Sequence, residues 1–216
     1  LIVDNTFMTP YLQRPLELGA DITVQSATKF LAGHADLLAG VAATNDSDLA
    51  VQLHRGQLVS GALLPPIDSY RLLQDVKTLA LRLERQQQNA RELIDFLSAR
   101  PEVEQIFYPG SSSEEQAEIQ SRQARGIGSV FSLLLAEGGD AQAFARALPI
   151  FVNAVSLGGI ESLVSLPAHT THGAYAQEHR DEFDVDDRLV RLAIGIEDVQ
   201  DLIAALEIGL KAAFAG

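Results

Sequence analysis

A lysine flanked by small hydroxyl residues is the feature of this sequence best suited to chemistry. Lys29 follows Ser26 and Thr28, and Asp4 closes a short apolar run at the start of the chain. The spacing fits one strand, one connecting helix and a second strand. We therefore expect Asp4 and Lys29 at the carboxyl edge of one parallel sheet, which is where open α/β sheets bind their ligands.

An amine, a carboxylate and two hydroxyls in this arrangement favour chemistry with pyridoxal 5'-phosphate (PLP). A lysine amine can form a Schiff base with the aldehyde of PLP, and a carboxylate can keep the pyridine nitrogen protonated so that the ring accepts electrons. Small hydroxyls can donate hydrogen bonds to the phosphate. Taken alone, Lys29 is typical of a solvated lysine and Asp4 of a helix cap or turn. Only the combination favours the cofactor.

The segments 1–6 and 26–36 resemble the Cys/Met-metabolism family of PLP enzymes, the cystathionine lyases and synthases. The resemblance implies the aspartate-aminotransferase-like fold, known as fold type I. It also implies that Lys29 carries the cofactor, that Asp4 pairs with the pyridinium nitrogen, and that Ser26 and Thr28 bind the phosphate. The resemblance covers the whole chain but only roughly the second half of a family member. We therefore expect the C-terminal part of a longer chain.

Two motifs in the second half of the sequence could bind a substrate carboxylate. Strand alternation in residues 189–194 points Arg191 away from the apolar face, and a fixed arginine offers a carboxylate two parallel donors. Ser156 precedes two glycines that permit close backbone approach. In isolation, Arg191 would be interpreted as a surface ion pair and Ser156 as a loop serine. The resemblance implies that both bind the substrate, a small α-amino acid.

The resemblance implies a lyase of sulfur amino acid metabolism that performs β- or γ-elimination on cystathionine or a related thioether. Val155 occupies a position where some γ-acting members carry glutamate, and we favour the lyase on that ground. The alternative is a cystathionine γ-synthase or an O-acyl-homoserine sulfhydrylase. A hypothesis of another class is an inactive fragment or assembly module that associates through residues 54–61. The family also implies a homo-oligomer, a dimer of dimers.

Composition excludes several other classes of function. The 216 residues are 47% hydrophobic and 21% charged, as in ordinary soluble globular proteins. A formal net charge of −13 argues against nucleic-acid binding. No apolar run is long enough to span a membrane, and the absence of cysteine excludes disulfides and thiolate metal sites. His169 and His172 have no third ligand at a suitable spacing, so we expect no metal. The lack of a membrane-spanning run and of a signal peptide predicts a cytoplasmic protein.

The hydrophobic pattern predicts an α/β chain in two parts joined by a long helix. Residues 1–85 would form part of a large parallel-sheet PLP-binding domain, with strands at 1–4, 21–24 and 38–44 and a helix at 10–18. A helix at 46–53 and an irregular loop at 54–66 would follow.

Residues 67–100 are predicted to be helical, and we place the domain boundary in their polar stretch, near residues 83–89. Residues 86–216 would form a smaller α+β domain with a mostly antiparallel sheet. Its predicted strands are 103–108, 130–136, 151–155, 163–166 and 189–194, and its predicted helices are 141–148 and 199–213.

Overall fold

The computed structural model describes residues 1–173, 175, 182 and 185–215. Its strands are β1 (Ile2–Asp4), β2 (Ile22–Ser26), β3 (Gly40–Ala43), β4 (Val103–Phe107), β5 (Val130–Leu135), β6 (Val152–Asn153), β7 (Leu163–Ser165) and β8 (Leu189–Ala193). Its α-helices are α1 (Thr9–Leu12), α2 (Ser47–Ser60), α3 (Pro66–Asp75), α4 (Leu79–Ser98), α5 (Glu114–Gln123), α6 (Ala141–Ala147) and α7 (Val199–Ala213). Short 3₁₀ turns lie at Pro15–Leu18, Val76–Thr78 and Pro167–His169.

The first sheet has the order β1-β2-β3 and confirms part of the predicted topology. Strands β1 and β2 are parallel, with Asp4 opposite Val24, so both strands end at the same edge. The expectation that the next step is also parallel is wrong, because β3 runs antiparallel to β2. Residues 27–39 turn back beside β2 without a helix that crosses the sheet, and a parallel pair needs such a crossover.

The predicted helix at 10–18 is in fact two pieces, α1 and the 3₁₀ turn Pro15–Leu18. Proline has no N–H to donate, and it forces the preceding residue out of the helical region. Arg14 accordingly adopts φ −124° and ψ 82°. The chain therefore bends at Arg14 and places a second short segment beside the sheet.

Helix α2 is longer than predicted, so the irregular loop predicted at 54–66 is wrong for residues 54–60 and is restricted to residues 61–65. Asp46 caps the helix by accepting hydrogen bonds from the backbone amides of Asp48 and Leu49. The helix continues through Gly56 and ends at Gly61, whose φ of +69° suits a glycine cap. A single internal glycine costs only about 1 kcal/mol, so the two caps decide the length of α2.

The second sheet has the order β4-β5-β8-β7-β6. All of its pairs are antiparallel except β6 with β7, which confirms the predicted mostly antiparallel sheet. Helices α6 and α7 pack together, and α7 begins and ends at the predicted residues. The core lies between the second sheet and the helices packed on it. Its fully buried side chains include Leu93, Leu97, Leu133, Phe144, Leu192, Leu202 and Leu206.

Helix α4 connects the two halves of the chain. Leu79 and Leu83 near its start pack with Phe30, whereas Leu93 and Leu97 near its end belong to the core of the second sheet. Two separate apolar clusters on one helix support a boundary within α4, and the division into domains 1–85 and 86–216 stays a prediction. Among the described residues, no helix has the length and apolar character needed to cross a bilayer.

Candidate active site

Lys29 faces a cavity between the two halves of the chain. The cavity has a volume of about 710 Å³, within the range of about 300–1,000 Å³ that is typical of ligand sites. Its wall includes Thr28, Lys29 and Asp36 from the first half and Ser156 and Glu161 from the second. The side-chain amine of Lys29 donates a hydrogen bond of 3.0 Å to the hydroxyl of Ser156. The structure therefore brings together two of the residues predicted from sequence.

A second cavity, of about 750 Å³, lies between α3 and the first sheet. Leu72, Leu73 and Val76 contribute to its walls, and the area that lines it is mostly apolar. Neither the amine of Lys29 nor the hydroxyl of Ser156 borders it. We therefore take the cavity at Lys29 as the candidate active site, because reactive groups converge there.

Arg191 lies on β8 directly beside the Ser156 segment. Its Nη2 donates to the carbonyl oxygens of Val155 at 2.9 Å and Ser156 at 3.2 Å. Burial lowers the pKa of the Arg191 guanidinium below its ordinary value, yet an arginine remains protonated at neutral pH. Its Nε and Nη1 have no hydrogen-bond partner in the part of the chain that the structure describes. Donors are thus available for a carboxylate.

Asp4 lies at the end of β1, and Thr6 holds its carboxylate in place. The carboxylate accepts hydrogen bonds from the amide of Thr6 at 2.9 Å and from its hydroxyl at 2.6 Å. The same hydroxyl accepts a hydrogen bond of 2.8 Å from the amide of Ser26. Asp4 and Ser26 are therefore joined through Thr6 at the common edge of β1 and β2.

Sequence reasoning assigned no role to Thr6, which is 8% exposed. A local signal for it exists, because an aspartate commonly accepts a hydrogen bond from the backbone two residues later. That signal indicates a turn and nothing about the contact with Ser26. Only the pairing of β1 with β2 creates that contact.

Thr28 is bound to the backbone before β3. Its hydroxyl donates to the carbonyl oxygen of Ala39 at 3.3 Å and accepts from the amide of Ala39 at 3.0 Å. The hydroxyl proton is therefore engaged, and a phosphate would have to displace the Ala39 carbonyl to receive it. Ser26 makes no comparable side-chain contact with Ala39.

Gly158 allows the Ser156 segment to approach Lys29 closely. A Cβ at position 158 would lie 2.6 Å from the amide nitrogen of Phe30 and 3.1 Å from the Cβ of Lys29. Its φ of +81° also lies in the left-handed region, which favours glycine. The close approach and the backbone angle both explain the need for glycine beside the site.

The predicted site residues form two connected groups. Lys29, Ser156 and Arg191 are linked by direct hydrogen bonds, and Asp4 is linked to Ser26 through Thr6. Residues 27–28 join the two groups along the chain. Of the predicted residues, Thr28, Lys29 and Ser156 line the cavity, whereas Asp4 and Ser26 lie at the edge of β1 and β2. An amine, a carboxylate and hydroxyls are the donor set that PLP requires, so the residues present fit this cofactor.

The two histidines considered for a metal site make other contacts. The Nε2 of His169 lies 3.2 Å from the side-chain amide of Gln142, and the Nδ1 of His172 lies 2.9 Å from the hydroxyl of Thr171. No group of three or more metal-ligating side chains occurs within the described ranges.

Comparison with known proteins agrees with this geometry. The family model described as Cys/Met metabolism PLP-dependent enzyme matches residues 1–211. Cystathionine gamma-lyase of Bacillus subtilis is 44% identical over 94% of this chain and 54% of the relative. L-methionine gamma-lyase of Pseudomonas deceptionensis is 46% identical over 98% of this chain and 54% of the relative. The chain thus spans about half the length of these curated relatives.

A solved structure also matches the fold. Cystathionine gamma synthase from Xanthomonas oryzae pv. oryzae in complex with cystathionine superposes with a TM-score of 0.93 and 37% sequence identity. The match covers 99% of this chain and 56% of the synthase. It confirms the predicted fold type I. With a family model that covers nearly all of the sequence, the chain belongs to the Cys/Met metabolism family of PLP-dependent enzymes.

Proposed function

We propose that this chain carries the lysine-bearing part of a PLP-dependent lyase that acts on sulfur amino acids. The reaction would be β- or γ-elimination on cystathionine or a related thioether amino acid. One observation carries the proposal. The amine of Lys29 lies 3.0 Å from the Ser156 hydroxyl, and Arg191 holds the backbone of the same serine. A nucleophilic amine that borders the cavity and a guanidinium that can bind a carboxylate are therefore both hydrogen-bonded to Ser156.

Four residues would hold the cofactor. Lys29 would bind its aldehyde carbon, Asp4 would accept a hydrogen bond from its ring nitrogen, and Ser26 and Thr28 would bind its phosphate. When bound, PLP supplies an electron sink for negative charge that develops on the substrate. Asp4 suits its role because the hydrogen bonds from Thr6 fix the direction of its carboxylate.

Lys29 would then act as a general acid and base. Its free amine would take the proton from the substrate Cα and, for γ-elimination, a proton from Cβ, and it would return a proton to the departing sulfur. The contact with Ser156 keeps the amine close to the substrate side of the cavity.

Arg191 would bind the substrate carboxylate with its remaining N–H groups. A fixed carboxylate limits the rotation of the substrate, so that the bond to be broken stays aligned with the cofactor ring. Positioning of this kind contributes a large part of enzymatic rate enhancement.

The lyase is favoured over a γ-synthase or sulfhydrylase by the apolar side chain of Val155, which is 56% exposed beside Ser156. Similarity to the Xanthomonas oryzae synthase keeps the replacement reaction as the second candidate. Two assays distinguish the reactions. The first incubates the protein with cystathionine and measures the release of thiol and 2-oxo acid, and the second incubates it with cysteine and an activated homoserine and measures the formation of cystathionine. Synthesis without elimination would overturn the lyase.

The alternative to an enzyme is an inactive assembly module. Binding of PLP distinguishes the lyase from the module. A lyase absorbs visible light through its lysine-bound cofactor, and Lys29→Ala loses this absorbance while it keeps the folded circular dichroism spectrum. Lys77→Ala is the matched control, because Lys77 is an exposed lysine whose side chain hydrogen-bonds only to Gln74 among the described residues. A colourless protein that does not bind PLP would favour the module.

We also propose a homo-oligomer in the cytoplasm. Helix α2 has no buried residue, and it exposes Leu58 by 57% and Val59 by 82%. A second copy could cover this apolar surface. Light scattering of the wild type and of Val59→Asp tests the oligomer, with a purely monomeric wild type as the contrary result.

The proposed location in the cytoplasm rests on the metabolic chemistry, and cell fractionation tests it.

A further inference from the structure

Helix α4 buries four polar side chains, and three of them lie on one face. Arg82, Gln86 and Asn89 lie at helical spacing, and they are 5%, 0% and 0% exposed. Burial of such groups is costly unless they form hydrogen bonds. We call these three residues the polar face of α4. The sequence pattern alone indicates a polar interruption of the helix near residues 83–89, but in the fold the side chains of Gln86 and Asn89 point inward.

Arg82 contacts the segment that follows Lys29. Its Nη1 donates to the carbonyl oxygen of Phe30 at 2.8 Å, and its Nη2 donates to that of Leu31 at 3.2 Å. The guanidinium fills the space beside Gly33, where a Cβ would lie 2.1 Å from Nη1. Arg82 therefore holds the backbone of the residues that directly follow Lys29.

Gln86 and Asn89 make the equivalent contacts in the second half of the chain. The side-chain amide of Gln86 donates to the carbonyl oxygen of Gly159 at 2.7 Å. That of Asn89 donates to the carbonyl oxygens of Gly195 at 3.1 Å and Glu197 at 2.9 Å. Gly159 closely follows Ser156, and Gly195 follows the strand that carries Arg191.

The three segments held by α4 also bind one another. The amide of Ile160 donates to the carbonyl oxygen of Gly33 at 3.1 Å, and the amide of Ile196 donates to that of Ile160 at 2.9 Å. Each segment thus has at least one hydrogen bond with the helix and at least one with a neighbouring segment. A shift of one segment must disturb the others.

We propose that the polar face of α4 is a positioning device, which sets Lys29, Ser156 and Arg191 relative to one another across the two halves of the chain. Its catalytic consequence rests on the proposed function. The three residues of this face act through backbone carbonyls, so they are positioning residues. Because small misplacements of reacting groups slow enzymes strongly, loss of one contact should lower the rate more than the stability.

Gln86→Met is the most informative variant. Methionine has a similar volume and shape, so the core remains filled. The substitution removes the bond to Gly159, but it also removes Oε1 of Gln86, a buried acceptor without a partner in the described part of the chain. These two effects on stability oppose each other. Gln88→Met is the matched control, because Gln88 is exposed and, within the described part of the chain, its side chain hydrogen-bonds only to Glu92.

Two measurements test the proposal on the intact protein. In the cofactor-free form, hydrogen exchange at the amides of Ile160 and Ile196 should be about tenfold faster in Gln86→Met, whereas core amides stay protected. In the PLP-loaded form, the visible circular dichroism of the cofactor should weaken. In the same form, kcat should fall about tenfold to a hundredfold at a nearly unchanged melting temperature. Gln88→Met should match the wild type in all of these.

Unchanged exchange at Ile160 and Ile196 in Gln86→Met would overturn the proposal, as would uniform acceleration of all core amides, which marks a merely structural role. If Gln86→Met does not fold, Arg82→Lys gives the same test. It keeps the charge, and it should accelerate exchange at the amides of Ala32 and Gly33. Faster local exchange in a protein that binds no PLP would support the positioning device while the proposed function fails.

Discussion

Replacing Gly158 with alanine should destabilise the protein through two separate effects. The residue has a φ of +81°, and holding an L-residue in the left-handed region costs about 1–2 kcal/mol. The new Cβ would also lie 2.6 Å from the amide nitrogen of Phe30 and 3.0 Å from the carbonyl carbon of Lys29. Those neighbours are backbone atoms, so relief needs a shift of the chain, with an overpacking cost of about 1–3 kcal/mol.

Gly138→Ala isolates the clash from the backbone angle. Gly138 has a φ of +85°, and a Cβ there would meet no atom within 4 Å. Both variants should lose the cost of the backbone angle, so the free energy of unfolding of Gly158→Ala should be lower than that of Gly138→Ala by the overpacking cost alone. Thermal unfolding measures this difference. For a chain of this size that corresponds to about 2–12 °C in melting temperature.

The same variant should weaken the binding of PLP, because the clash pushes on the residue that would carry the cofactor. Titration with PLP, followed by visible absorbance, measures this effect, and Gly138→Ala should titrate like the wild type. Equal melting temperatures for the two variants, together with equal PLP affinity, would refute the close approach of Gly158 to Lys29.

Three further predictions concern stability. The hydrogen bonds from Arg188 hold the pKa of Asp186 below its ordinary value of 3.8, so Asp186 stabilises the protein above that pH, and this contribution disappears as the pH falls through the folded-state value. The urea midpoints of wild type and Asp186→Asn should converge in acid, and a constant difference would contradict this. Asp140→Ala removes the cap of α6 and should cost about 1 kcal/mol in urea unfolding, whereas Asp140→Asn should retain most of it. Ser162→Ala leaves the buried amide of Gly195 without its acceptor and removes one of the two hydrogen bonds from residue 162 to the Glu197 carboxylate. It should cost about 1–3 kcal/mol, so an unchanged urea midpoint would count against the role of the Ser162 hydroxyl.

Several elements followed from local patterns. The apolar run before Asp4 and the short strand before Ser26 formed the predicted parallel pair, and α7 formed at the predicted residues. For α7 the period of the apolar residues matched the helix, and tertiary packing buried the expected face. The strand β1 formed where its apolar run predicts it, but Ile2 within it is 64% exposed. The break at Pro15 was also encoded locally, since proline restricts its own residue and the one before it.

Other features depended on contacts between distant residues. The antiparallel direction of β3 follows from how residues 27–39 return across the sheet. Thr28 binds Ala39 instead of leaving its hydroxyl free, because that return places the Ala39 backbone beside it. Neither contact has a signature in the sequence near Thr28.

The sequence by itself determined the chemistry that is possible here, because the residue types of Lys29, Asp4, Ser156 and Arg191 and their resemblance to one family need no coordinates. The tertiary structure decided which of these residues touch and what holds them. It joined Lys29 to Ser156 across the two halves of the chain, and it turned the polar stretch of α4 inward. The physical reason is that a buried polar side chain is stable only where a distant backbone supplies its partner, and a local pattern does not contain that partner.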